Sequence, residues 1–242
     1  MKYSFLFLAI LLFSCAGEDK KSDAVPSDQV YQHYTVTFNE GSAKTTAAAS
    51  FRVGAKWDRM ETEKTEGSAM VLTSPASITC NGNTLAQKSD VFTGAYYELE
   101  KNGAFDGNYT WVWKDNKGQT FTNAAKMNSI ALPALPETTY VEKELTITWT
   151  GGPVAENETV RIWLINGQNK ATEFSSSPGT NALTFSSGAL KNVEGNNVKV
   201  ELSRTLHAGV QQGGAEGGTM DVVYNAESKN LRVMKTPVLK LF

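Results

Sequence analysis

The sequence predicts an all-β protein: two consecutive β-sandwich domains behind a leader peptide and a tether. Three observations carry that expectation. Apolar residues alternate with polar ones in short runs broken by Gly, Asn, Asp and Ser, while helical periodicity is almost absent. A two-proline stretch, Ile130 to Glu137, divides the strand-like runs into two groups of similar length. The N-terminal residues form a short apolar run followed by small and charged residues that have almost nothing to bury.

The apolar run spans Tyr3 to Phe13 and follows Lys2. A transmembrane helix needs roughly 20 apolar residues, so this run is too short to span a bilayer. A basic start, a short apolar core and a small residue at the cut read as a signal peptide covering residues 1–14. The run closes on Leu12-Phe13-Ser14-Cys15, which resembles the lipobox of bacterial lipoproteins. The resemblance implies cleavage before Cys15, a diacylglycerol on its thiol, and a membrane as the partner held through lipid. A plain secretory leader with an incidental Cys is the alternative. Acyl chains such as palmitate contribute ~0.8 kcal/mol per buried methylene, and lasting anchorage takes more than one chain. Lipoproteins carry two or three, so the resemblance implies a stable anchor.

Residues 15–28 are predicted to be a lipidated, disordered tether. Ala16 resembles the residue that follows the Cys in lipoproteins sorted to the outer membrane, which places the expected location in the cell envelope. The cluster Glu18-Asp19-Lys20-Lys21 is similar to export tags of surface-displayed lipoproteins, and reads equally well as a solvated spacer.

The chain carries 23 Lys+Arg and 25 Asp+Glu. Removing the leader removes only Lys2, which leaves 22 against 25. A balance so near neutral argues against a nucleic-acid partner, which normally meets a basic patch. After lipidation of Cys15 the only thiol is Cys80, so no intramolecular disulfide is available. Cys80 lies in the alternating run Ala76 to Gly82 and is expected to be a small buried hydrophobe.

The first domain is expected over residues 29–132, with strands near Val30–Phe38, Ala48–Lys56, Ala69–Leu72, Ser77–Cys80, Ala95–Glu100, Asn108–Trp113 and Gln119–Thr122. Asn81-Gly82, Asn102-Gly103 and Asp115-Asn116-Lys117-Gly118 supply tight turns. Pro133 and Pro136 cannot donate to a ladder and form a stiff connector. The second domain is expected over residues 138–242, with strands near Glu144–Thr150, Thr159–Ile165, Asn181–Phe185, Asn197–Arg204, Thr219–Tyr224 and Leu231–Lys235. Units of about 100 residues match an immunoglobulin-like sandwich in size. The segment Leu145 to Pro153 resembles the second strand of fibronectin type III domains, and the resemblance implies that Trp149 is buried in the core. A single long β-barrel is the alternative architecture.

Few features suggest chemistry. Tyr109, Trp111 and Trp113 share one face of a strand, either as a sugar-stacking platform or as the inward face of a sandwich. Trp57 lies among mixed charges from Lys56 to Glu66, as an exposed anchor or as a cap on the core. The run His207 to Gly218 includes Gly213, Gly214, Gly217 and Gly218; it reads as a recognition loop or a slack connection. Trp57 and those glycines are the candidate ligand- or partner-binding residues. His33 and His207 stand far apart in sequence, so zinc is not expected, and no Asp-x-Asp-x-Asp-Gly loop points to calcium. No Gly-x-Ser-x-Gly elbow occurs, and no catalytic residue or cofactor is assigned. Asn108-Tyr109-Thr110 and Asn157-Glu158-Thr159 match glycosylation sequons and read as turn residues entering strands. The expected function is a non-enzymatic binding, adhesion or structural module of the envelope with a protein or glycan partner. A carbohydrate-binding lipoprotein using exposed aromatics is the alternative.

Overall fold

The computed structural model describes residues 19–55 and 67–237. Strand accounts for 57% and helix for 7%, so the protein is all-β. In chain order the strands are β1 (Lys20–Lys21), β2 (Val30–Asn39), β3 (Lys44–Val53), β4 (Ser68–Val71), β5 (Ser77–Cys80), β6 (Asn83–Thr84), β7 (Ala86–Asp90), β8 (Gly94–Asn102) and β9 (Asn108–Lys114). There follow β10 (Thr120–Lys126), β11 (Thr138–Tyr140), β12 (Leu145–Thr148), β13 (Glu158–Asn166), β14 (Asn169–Ser175) and β15 (Ala182–Phe185). A six-residue helix, α1 (Ser187–Asn192), precedes β16 (Gly195–Gly209), β17 (Gly218–Asn225) and β18 (Lys229–Met234).

One large sheet runs β1-β4-β3-β2-β17-β16-β13-β14, with β8 and β7 branching from β3, and β18 and β11 from β16. Its central seam joins β2 to β17 in parallel, from Gln32↔Gly218 to Asn39↔Asn225. The sheet is therefore continuous across the boundary expected near Leu132–Pro136. Two smaller sheets, β10-β9-β5-β6 and β12-β15, complete the layers.

Alternation dictates what is buried. Tyr109, Trp111 and Trp113 point inward from β9, while Thr110 and Val112 between them do not. They meet the inward row of β2 and β3: Tyr34 stacks on Trp111 at 5.3 Å, and Phe51 lies 4.9 Å from Trp113. Trp113 also stacks on Phe121 of β10 at 4.6 Å. Cys80 is buried beside them, and burial, with Asp106 adding to it, pushes its thiol up to about 12.

In the second half, buried Ile162 and Leu164 of β13 stand beside buried Leu202 and Val200 of β16, and buried Val160 stands beside Arg204. Trp149 is buried as the resemblance implies, and its indole N–H donates to Gly152 O at 2.9 Å. The Gly151-Gly152-Pro153 turn is held from below by Arg204 of β16, which is 1% exposed. Its guanidinium donates to Gly151 O at 3.0 Å and Gly152 O at 2.6 Å, and lies 3.6 Å from the buried Glu158 carboxylate.

Residues 19–28 differ from the disordered tether that composition predicts. Lys20–Lys21 pair in parallel with Met70–Val71, and two short 3-10 turns follow. The reason is tertiary: Ser22 is buried, and its hydroxyl accepts from Thr73 N at 2.8 Å. β7 and β14 are absent from the expected strands because they are edge strands with almost no inward apolar row. Every residue of β7 is exposed, and only Ala171 of β14 is buried.

Candidate functional site

The outward face of the large sheet carries the polar and aromatic groups that remain accessible. On β13 the alternation that buries Ile162 and Leu164 turns Arg161 and Trp163 outward. Trp163 pairs with Thr172 of β14 on one side and Glu201 of β16 on the other. The Lys170 ammonium lies 4.8 Å from the indole centroid and the Arg161 guanidinium 5.6 Å, and Arg161 also covers the ring of exposed Phe174 at 5.6 Å. Such contacts hold an aromatic ring in place without burying it.

Beside Trp163 opens a groove of 540 Å³. Its other walls are Lys199 and Glu201 of β16, the β2–β3 turn from Asn39 to Ser42, and the β17–β18 connection from Asn225 to Ser228. The two connections are tied together: Asn225 Nδ2 donates to Asn39 Oδ1 at 2.9 Å, and Glu227 N donates to a Glu40 carboxylate oxygen at 2.8 Å. On the floor, Lys199 Nζ donates to Glu201 at 2.6 Å. The groove thus combines one aromatic wall with amides, carboxylates, an ammonium and hydroxyls.

A second cluster joins both histidines of the chain. Asp221 of β17 accepts from His33 of β2 at 3.0 Å and from His207 of β16 at 2.5 Å, one imidazole to each carboxylate oxygen. The pair is remote in sequence and becomes adjacent through the parallel seam. Burial of Asp221 opposes its ionisation, but the two histidine hydrogen bonds outweigh burial and hold the carboxyl below its ordinary value. A folded pKa below the unfolded one contributes stability that is complete above the unfolded value and is lost as the pH falls through the folded value. Asp221→Asn should therefore cost stability near pH 7 and flatten the acid limb of the melting-temperature profile below pH 5. An unchanged acid limb would show that the cluster does not support the seam. Among the described residues no group of three or more His, Cys, Asp or Glu is arranged to hold a metal ion.

The residues singled out from the sequence lie elsewhere. Trp57 is outside the described residues; Ala55 and Gly67 bracket its segment at the ends of β3 and β4. Tyr109, Trp111 and Trp113 are buried, which removes them as a sugar platform. The glycine-rich run is shorter than the sequence suggests, since β16 reaches Gly209 and β17 begins at Gly218. It is also pinned. Gln211 exchanges two hydrogen bonds with the Ala124 backbone at 2.8 and 3.0 Å, and Gln212 Oε1 accepts from Thr122 N at 2.7 Å. The backbone of Gln212 and the side chain of Asn123 exchange two more, at 2.7 and 2.9 Å. The loop covers the free edge of β10 as side chains and loops commonly protect edges. A Cβ on Gly214 would collide with the Asp28 backbone, and one on Gly218 with Gln32 O. A Cβ on Gly213 would press against Val210 and Gly217, and Gly217 itself has a φ of +68°. Close packing at Gly213, Gly214 and Gly218 and the positive φ at Gly217 thus favour glycine at the four positions.

Trp163 is not among the residues that composition and motif single out. The signal was present: in Val160-Arg161-Ile162-Trp163-Leu164 the β-branched and Leu positions claim one face and assign the Trp to the other.

No protein-family model matches this chain, and no curated protein matches it. Among solved structures it is similar to a 1.5-MDa bacterial ice-binding adhesin retained at a host cell surface, at 13% identity and TM-score 0.26, over 86% of this chain and 66% of that one. It is similar to a Bacteroides ovatus protein of a mixed-linkage glucan utilization locus, SGBP-B in complex with a mixed-linkage heptasaccharide, at 12% identity and TM-score 0.23, over 93% of this chain and 49% of that one. A fragment of the ICAM-5 ectodomain matches at 10% identity and TM-score 0.24, over 86% of this chain and 52% of that one. The chain spans from about half to just under two thirds of these structures' lengths.

Proposed function

We propose that this chain is a lipid-anchored protein of the bacterial cell envelope that captures a saccharide without chemical turnover, in the groove beside Trp163. The observation that carries this reading is an outward indole set among amide, carboxylate and hydroxyl groups. A sugar ring presents an apolar C–H face and a rim of hydroxyls. An indole face suits the first, and Asn39, Asn225, Glu201 and Ser228 suit the second.

The position of the groove supports display. β2 starts at Val30, beside the N-terminal segment, and ends at Asn39, on the groove wall. A strand of ten residues at ~3.3 Å each spans about 30 Å. If Cys15 carries the lipid, the groove stands at the end of the sheet away from the anchor. Outer-membrane sorting, through Ala16, belongs to the same proposal.

The test uses calorimetric titration of the unlipidated chain beginning at Ala16 with a panel of neutral and acidic oligosaccharides. Trp163→Ala should weaken binding of any captured sugar about 30-fold, as expected when an interface Trp worth ~2 kcal/mol is truncated. Undiminished binding by a Trp163→Ala protein of normal melting temperature would move the site elsewhere. One observation favours a protein partner as the second reading: Phe174 is 61% exposed and shares Arg161 with Trp163, an arrangement typical of interface anchors. Phe174→Ala separates the two readings, because Phe174 is not on the groove wall and its loss should spare a sugar while weakening a protein contact.

A further inference from the structure

We propose that the turn between β7 and β8 seats Val91 and Phe92 in the interface of the membrane that holds Cys15. This rests on the lipid-anchor part of the proposed function and is independent of the saccharide part. Phe92 is 90% exposed and Val91 75%, more than any other large hydrophobic residue among the described ones. Adjacent apolar side chains so fully presented to water are a cost unless something covers them.

The turn is held in this form. The Asp90 carboxylate accepts from Phe92 N at 2.8 Å and from Thr93 N at 3.2 Å. Arg52 of β3 donates to Thr93 O at 3.1 Å, which fixes the turn to the sheet. Val91 and Phe92 are thus locked outward at the tip of a paired hairpin, with Asp90 opposite Gly94.

The occupant follows from where the N-terminal segment lies. A Cβ on Gly94 would meet the carboxylate of Asp19, so Asp19 sits against the base of this same hairpin. Asp19 stands four positions after Cys15, and a fully extended chain covers at most about 14 Å over that length. An acylated Cys15 therefore holds the bilayer surface within that reach of Asp19, at the base of the hairpin that carries the tip. Side chains at this position enter the boundary between headgroups and acyl chains, where Phe and other apolar groups of membrane-binding proteins reside. The acyl chains supply the attachment. The tip supplies orientation, because a second contact beside the anchor stops the sheet from pivoting and keeps the groove directed away from the membrane.

The test uses the full lipidated protein in phosphatidylethanolamine–phosphatidylglycerol vesicles. A Val91→Cys variant carries an environment-sensitive nitrobenzoxadiazole label; Cys80 is buried, and the Cys15 thiol is blocked by its lipid. A Gln168→Cys variant, labelled at the exposed turn between β13 and β14 on the opposite edge of the sheet, is the reference. Nitroxide groups on the upper acyl chain should quench the Val91 label at least about threefold more than the Gln168 label, as for a group at the headgroup boundary. Phe92→Ser should reduce that quenching with the melting temperature unchanged. Equal, weak quenching at both sites in protein that still floats with the vesicles would overturn the inference and leave the anchor standing. Energy transfer between labelled copies without lipid quenching would overturn it in favour of a second copy as the occupant. Absence of the diacylglycerol mass on Cys15, with loss of flotation, would overturn the anchor and this inference together.

Discussion

Trp113→Ala is expected to lower stability by ~3–5 kcal/mol, the usual cost of truncating a buried Trp to Ala. For a chain of this size each kcal/mol lowers the melting temperature by about 2–4 °C, so a fall of roughly 10 °C should be seen by calorimetry. The residue is 1% exposed and joins three elements, through Phe51 of β3, Phe121 of β10 and its own strand β9. Its removal leaves a void that two packed sheets cannot both close. Trp113→Phe should cost far less, because the indole N–H is buried without a hydrogen-bond partner and nothing polar is lost with it. A Trp113→Ala protein that melts with the wild type would show that the small sheet is not packed on β2 and β3 as described.

Arg204→Ala is expected to have an effect of similar size through a different route. Removing the guanidinium strands the Glu158 carboxylate, 6% exposed, and frees the carbonyls of Gly151 and Gly152 from their donors. Breaking a buried pair by deleting one partner costs ~3–5 kcal/mol, chiefly because the remaining charge stays buried and unpaired. Burial lowers the arginine's pKa and the Glu158 carboxylate offsets part of that shift, so Glu158 helps to keep the guanidinium charged. Restoring packing without charge, in an Arg204→Met Glu158→Gln double variant, should recover much of the loss. Urea titration of the three proteins measures this, and a single variant as stable as the double would show that charge burial is not the cause.

The strands that the sequence specified are those with one buried face. Alternation in Tyr109-Thr110-Trp111-Val112-Trp113 and in Val160-Arg161-Ile162-Trp163-Leu164 fixes strand, face and burial together, because side chains on a strand have a period of two. Turn chemistry was equally local: Asn81-Gly82 adopts the positive φ values of 48° and 77° that a tight hairpin requires. Burial of Cys80 followed from the same pattern, and burial of Trp149 from the resemblance of Leu145 to Pro153 to a fibronectin type III strand. Composition, by contrast, misjudged residues 19–28. Polar residues can be ordered by partners that lie far away in sequence, as Ser22 is by Thr73.

What only the tertiary structure decided is which strands pair and which faces stay open. The parallel seam of β2 with β17 joins residues 188 apart, as in His33 with Asp221, and no local pattern names such a partner. That seam assembles the His33–Asp221–His207 cluster, and with it the large sheet whose outer face bears the Trp163 groove. Arg204 closes the expected strand Asn197–Arg204, and it is buried because the Gly151–Pro153 turn folds over it. The glycines from Gly213 to Gly218 read as freedom, and the fold uses them for close backbone approach instead. The physical reason is common to all of these cases. Local sequence sets the period and direction of side chains along one strand, whereas the choice of neighbour depends on complementary surfaces brought together across the whole chain.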